Sequence, residues 1–339
     1  MDELKELIFS LCTAPGTPGE EQTAADAAAK ELSKYATVTR DAMGNVIAKL
    51  GKSGAKTHVM LDAHIDQIGM IVTGIDDKGF LHIDRCGGMD RRVLPGSPVK
   101  VYGTEVLTGI ICCTPPHLTG GGEDKVESIE KLAVDVGLNK EEAERLVHLG
   151  DHIVLHAEPK SLLGSRVTAA ALDDRAGVAS LIRCVQLLAG TKLKCELTVL
   201  CSTREEVGGQ GAVTGTYAVN PTQAIAVDVG FAAQPDVAPE VCGKLGGGPM
   251  IGIAPALNRS MGDKLIALAK AADMPYKLDI MGNSTGTNGD EIAITRKGVP
   301  TALISIPLRY MHTQVEVIDL NDVEQTAQLM AAYIREVEA

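Results

Sequence analysis

The sequence predicts an α/β protein: a mixed central sheet flanked by helices, interrupted by a β-barrel-like insertion. Two observations carry this. Outside residues 67–163, short apolar runs rich in β-branched residues alternate with helical periods. Between 67 and 163 the texture changes to short alternating runs on either side of tight turns, the pattern of hairpins. The expected organisation is therefore an α/β domain in two parts, 1–66 and 164–339, around an inserted β-rich domain at 67–163.

Each element has its own justification. Leu4–Leu11 and Glu20–Leu32 read as helices separated by a Pro-Gly-Thr-Pro-Gly turn. Strands are expected at Ala36–Thr39, Asn45–Ala48 and His58–Ala63. In the insertion, Asp76-Asp77-Lys78-Gly79 and Gly103-Thr104 are turn signals, and a glycine- and acid-rich loop runs from Gly120 to Glu127. A helix at Lys140–His148 starts with Asn139 and has Glu142 three residues on, a capping box. Beyond it, Asp174–Leu188 has a helical apolar stripe and stops before Gly190. A strand through Leu197–Leu200 and another at Ala224–Val227 follow, then a helix near Asp263–Ala272 and a strand at Lys277–Ile280. A last strand, Thr301–Ile306, precedes a capped helix from Asn321. No internal repeat is visible.

Composition excludes several functions. At 339 residues the chain has ample core, but aromatics make up only 3% and Trp is absent, so that core must be aliphatic. A net charge of −12 argues against a nucleic-acid or anionic-membrane partner, since either wants clustered Lys and Arg. The N-terminus mixes charges into a helical period and reads as neither signal peptide nor anchor. The eight cysteines form no CxxC pair and mostly sit in apolar segments, so reduced thiols and a cytoplasmic location are expected.

Chemistry-bearing residues recur where apolar strands end. His58–Ala63 delivers His64 and Asp66, whose spacing puts an imidazole beside a carboxylate that can support it. The stretch TVLCSTREEVGGQGA delivers Glu205 and Glu206, neighbours whose side chains can address two different things, such as a metal ion and a substrate-bound water. Asp173, Asp228 and His312 sit at comparable positions. In an open α/β sheet such ends converge on one crevice. Two histidines with several carboxylates suit zinc, cobalt or manganese rather than calcium, and so many ligands fit two ions sharing a bridging carboxylate. Asp173, opening a helix, is the natural bridge, although a plain N-cap is the commoner role for such a residue.

Taken together, LDAHIDQIGMIV, ALDDRAG, STREEVGGQGA, AVDVG and RYMHTQVE resemble the tetrahedral (TET-type) dinuclear-metal aminopeptidases, also labelled glutamyl aminopeptidases or cellulases. The resemblance covers nearly the whole chain, because LAVDVGLNKEEAERLVHLGD is similar to the family's inserted domain. It implies a zinc-exopeptidase-like fold and two divalent transition ions, zinc above all, with cobalt or manganese possible. It implies that His64 and Asp228 hold one ion, Glu206 and His312 the other, and Asp173 both. Glu205 would be the general base, Asp66 the support of His64, and Asp173–Asp174 a cis peptide. It also implies peptide substrates, and dimers built through the insertion into a hollow dodecamer.

Two departures stand out. Gln67 stands where the family usually has Glu, and Thr287-Asn288-Gly289-Asp290 replaces Thr-Asp-Ala in a loop near the substrate pocket. Rival readings are a related dinuclear amide hydrolase (a deacylase or carboxypeptidase) and a metal-dependent assembly protein without catalysis. A carboxypeptidase needs a cation aimed at the terminal carboxylate, and no Arg cluster announces one. Adjacent glutamates are also poorly placed to flank a sugar as glycoside hydrolysis requires.

Overall fold

A computed structural model describes residues 1–118, 126–235 and 237–337. The loop expected from Gly120 lies outside them as far as Lys125. Helices α1 (Asp2–Thr13) and α2 (Gln22–Leu32) precede strands β1 (Thr37–Arg40), β2 (Val46–Gly51) and β3 (His58–His64). Next come β4 (Gly69–Ile75), β5 (Leu81–Cys86), β6 (Pro98–Tyr102), β7 (Val106–Ile111), β8 (Ala133–Asp135), α3 (Lys140–Leu146) and β9 (His152–Leu155). Then β10 (Lys160–Ser161) and β11 (Arg166–Ala169) lead to α4 (Leu172–Leu188), β12 (Glu196–Ser202), α5 (Gln210–Val219) and β13 (Gln223–Phe231). The chain ends with β14 (Met250–Ile253), α6 (Arg259–Ala271), β15 (Lys277–Ile280), α7 (Asn288–Ile294), β16 (Thr301–Leu308), β17 (Glu316–Asp319) and α8 (Leu320–Arg335).

The central sheet has the order β1-β2-β12-β3-β13-β16-β14-β15 and is mixed, with a parallel middle (β12, β3, β13, β16). Strand alternation sorts its side chains onto two faces. Leu61, Val199 and Ile304 join one core with α1, α4 and α8, while Met60, Leu200 and Leu303 join another with Ala212 of α5 and Ile292 of α7. Both faces of the middle strands are therefore dry, which is why they read as continuous apolar runs. Strands β4 to β9 close separately into a six-stranded barrel, β4-β5-β8-β7-β6-β9, around its own core of Val72, Ile83, Val101 and Ile153. Its turns fall where Asp76–Gly79 and Gly103–Thr104 lie, and the Asn139–Glu142 capping box is formed. No helix among the described residues is long and apolar enough to cross a membrane.

Strands β10, β11, β14 and β17 were not expected, and three further elements depart from the reading. α5 (QGAVTGTYAV) carries glycines and β-branched residues that weaken a helical signal. Those glycines serve packing: a Cβ on Gly211 would sit 2.3 Å from the Thr203 carbonyl. α7 is a single short segment with its own cap, the Thr287 hydroxyl taking the Gly289 N–H. β13 continues to Phe231, so Asp228 lies inside a strand rather than just past its end.

Arg175 ties the first helix to the sheet edge. Fully buried, it donates to the carbonyls of Ile65 (2.6 Å), Leu11 (2.6 Å) and Ala14 (3.0 Å). Burial lowers its pKa to about 10, so it remains charged at neutral pH. Arg175→Met would strand these three carbonyls in a dry core, and we expect a loss of about 3 kcal/mol or more. Denaturant unfolding checks this, and an unchanged midpoint would contradict it.

Candidate metal centre

The site forms at the exits of β3 and β12 and beside the last residues of β13, which runs on past Asp228 to Phe231. Pairing of Ser202 with His64 and of Asp62 with Ala226 brings the exits of these strands side by side. β3 delivers His64, and β13 supplies Asp228 from the face that carries Ala226. β12 leads into the turn holding Glu205 and Glu206. The start of this turn is fixed by Asn45, which accepts the Thr203 N–H (2.9 Å) and donates to the Gly211 carbonyl (3.0 Å). Asp173 opens α4 across a cis Asp173–Asp174 peptide, and His312 follows β16. Ala171, Arg204, Tyr310 and His312, all beside these residues, have left-handed backbone without being glycine, a concentration typical of functional sites.

Asp173 is the centre of the group. Its Oδ1 lies 3.1 Å from Nε2 of His64 and its Oδ2 lies 3.2 Å from Nε2 of His312. Two sets of potential ligand atoms result, each within 4.8 Å: His64, Asp173 and Asp228, and Asp173, Glu206 and His312. The five residues expected to hold metal are thus brought together, and Asp173 belongs to both sets. Glu205 belongs to neither; it lines the same cavity, and its carboxylate has no hydrogen bond among the described residues.

Two further carboxylates brace the backbone. Asp66 accepts the N–H of Glu205 through Oδ1 and that of Glu206 through Oδ2, each at 3.0 Å. Its link to His64 is looser: Nδ1 of His64 is 3.1 Å from the Asp66 main-chain oxygen and 3.5 Å from the carboxylate. Glu316 does the same for the other side, accepting the N–H of His312 (2.9 Å) and of Asp173 (3.1 Å). Sequence reasoning assigned Glu316 no role, although it stands in RYMHTQVE, four residues after His312. Also unforeseen was the turn after β5. A Cβ on Gly88 would lie 3.0 Å from Nδ1 of His312, and one on Gly87 3.2 Å from the Glu206 Cβ, so the barrel contributes a wall to the site.

The electrostatics are those of anions crowded in a dry pocket. Burial raises the carboxyls of Glu206 and Asp228 well above their ordinary range, and the charge of Asp173 adds to this. Glu205 is raised by burial and then by Asp66 and Asp173. Burial would raise Asp173 too, but hydrogen bonds from His312 and His64 overcome it and hold that carboxyl low. For His64 burial acts downward, and its bonds to Asp173 and Asp66 outweigh it. Anions so crowded are stabilised by bound cations, and a nitrogen-plus-carboxylate donor set suits divalent transition ions. The residues fit such ions.

A mixed α/β sheet with an inserted barrel and a cluster of candidate metal ligands at its strand exits is the class that the fold and site define. Comparison with known proteins supports that class and narrows it. The family described as M42 glutamyl aminopeptidase matches residues 44–329. The chain belongs to that family, whose members are metal-dependent aminopeptidases. It is 32% identical to a lysyl aminopeptidase of Pyrococcus furiosus over 98% of this chain and 97% of that relative. An aminopeptidase from the archaeon Desulfurococcus kamchatkensis superposes with a TM-score of 0.93 at 32% identity, covering 99% of this chain and 95% of that one. The TET1 peptidase of Pyrococcus horikoshii, which assembles into a tetrahedron or a large octahedral shell, superposes with a TM-score of 0.87 at 30% identity, covering 98% of this chain and 100% of that one.

Asp66→Asn removes an acceptor from one of the two glutamate N–H groups while keeping size. We expect folding to survive and the hydrolysis rate to fall about 10–100-fold, the usual scale for a residue that supports metal ligands. A rate within twofold of wild type would contradict this role.

Proposed function

We propose that the protein is a dinuclear metallo-aminopeptidase that removes amino-terminal residues from peptides. The observation that carries the reading is the shared position of Asp173 in two ligand sets, with an unengaged glutamate beside them. His64 and Asp228 would hold one ion, Glu206 and His312 the second, and Asp173 both; zinc is the best match to the donors, with cobalt or manganese as alternatives. When bound, the ions supply Lewis acidity toward the scissile carbonyl and acidify water. Glu205 takes the proton of the attacking water and returns it to the leaving amine, a task for which burial and its anionic neighbours have already raised its proton affinity. Asp66 and Glu316 keep the base and ligands in place through their backbone.

The names of the family and of its relatives divide between glutamyl and lysyl, so similarity leaves the preferred amino-terminal residue open. We also propose that 1–66 and 164–339 form the catalytic domain and that 67–163 is an inserted dimerisation domain. Exposed Val106, Leu149 and Leu163, within or at the edge of this insertion, suit burial against another copy. The relatives that assemble into shells make a dodecamer built from dimers the best match. Unpaired cysteines suit a reducing cytoplasm.

Two experiments test this. Glu205→Gln should keep its metal and lose about a hundredfold or more in turnover of aminoacyl-anilides, the scale of a positioned general base. Glu206→Gln should instead lose metal, with added ion restoring part of the activity. Equal metal loss in both variants would mean the roles are misassigned. In light scattering the metal-loaded protein should run as a large closed oligomer; a monomer at high concentration would refute the assembly.

A further inference from the structure

The cavity that contains the candidate metal centre extends well beyond it. It encloses about 590 Å³ and runs along one face of the sheet from β13 across β16 to β15, the edge strand. At about 4.8 Å per strand, that edge is about 14 Å from β13. The walls on the way are mostly apolar, with Phe231, Val241, Met281, Leu303 and Met311 beside Thr285, Thr287 and Ser305. The far end carries one charged side chain, Asp279, whose β15 position pairs with Gly252 of β14.

Asp279 is half-buried, and its carboxylate forms no hydrogen bond or ion pair among the described residues. Burial raises its carboxyl above the ordinary range, and only the charge of Lys277 acts against this. Lys277 is itself engaged, its ammonium held by the carbonyls of Pro239, Glu240 and Cys242 in the turn that presents Val241. No Lys or Arg lines the cavity among the described residues. A glutamyl or aspartyl side chain would therefore meet a carboxylate, with no cation on the cavity wall among the described residues and Lys277 engaged behind it. A long aliphatic stem ending in a cation would lie on the apolar walls and place its charge at Asp279, the amphipathic form of Lys and Arg.

We infer that this cavity receives the side chain of the amino-terminal residue and that Asp279 selects lysyl and arginyl peptides. This rests on the aminopeptidase reading above. Lysyl, arginyl, leucyl and glutamyl p-nitroanilides test it on the metal-loaded protein. The wild type should favour lysyl and arginyl over leucyl by about tenfold or more in kcat/KM, the scale of one charge-assisted hydrogen bond, and should disfavour glutamyl. Asp279→Asn should abolish that preference, chiefly through KM. Asp279→Lys should raise glutamyl over lysyl. Each readout is a ratio within one variant, so it does not depend on how much of that variant folds. A lysyl-to-leucyl ratio unchanged in Asp279→Asn, or a wild type that favours glutamyl or leucyl, would overturn the assignment. Turnover of none of the four anilides would overturn the aminopeptidase reading instead. Calorimetry with lysinol and leucinol, which cannot be hydrolysed, then decides Asp279 separately: tighter lysinol binding that Asp279→Asn removes supports the selection, and equal binding overturns it.

Discussion

Negative charge confined in a dry pocket governs this molecule. Asp173, Glu205, Glu206 and Asp228 line one cavity, with the imidazoles of His64 and His312 as the only cationic balance lining it among the described residues. At about 4 Å, two like charges repel by about 4 kcal/mol even at an effective dielectric constant of 20. Side chains in such a group tend to swing apart or take up protons. Here they are held by their main chains. Asp66 and Glu316 each spend both carboxylate oxygens on backbone N–H groups, Asp66 on the glutamate pair and Glu316 on Asp173 and His312. These bonds set the main chains of Glu205, Glu206, Asp173 and His312 without any ion, and preorganisation of this kind lets a site favour one charge and geometry over others.

The parts of the fold divide the work. The parallel middle of the sheet brings three strand exits to one place, as open α/β sheets do. Arg175 fixes the height of the β3 exit by holding the Ile65 carbonyl. The barrel reaches back through Gly87 and Gly88 to close one side of the site. The antiparallel extension, β14 and β15, provides the distant wall of the cavity. The candidate metal ligands and Asp279 thus sit on different strands of one sheet, with Leu303 and Ser305 of β16 between them.

The clustering of His64, Asp173, Glu206, Asp228 and His312 was legible in the sequence because polar residues recur near the ends of successive apolar runs, whereas their assignment to two ions came from the family resemblance. Periodicity placed the long helices, and turn residues the two hairpin turns. What escaped shares a physical character. Glu316 acts through backbone N–H groups, and nothing local marks such a partner. Gly88 matters for the side chain it lacks. α5 is held by close packing against Thr203 rather than by propensity, and Asp279 gains meaning only when the sheet order puts β15 at the cavity's end. Asn288, one of the departures in its loop, is buried and donates to Asp62 (3.0 Å) and Ser202 (2.9 Å) beneath the site. It packs the floor instead of touching the proposed ligands.

The central claim is that Asp173 joins two ion sites. Anomalous diffraction at the absorption edge of the bound metal, on crystals of the protein grown with that metal, addresses it directly. Two peaks are predicted, one touching His64 and Asp228, the other Glu206 and His312, with an oxygen of Asp173 on each. A single peak, or two peaks of which one lacks Asp173, would contradict the account.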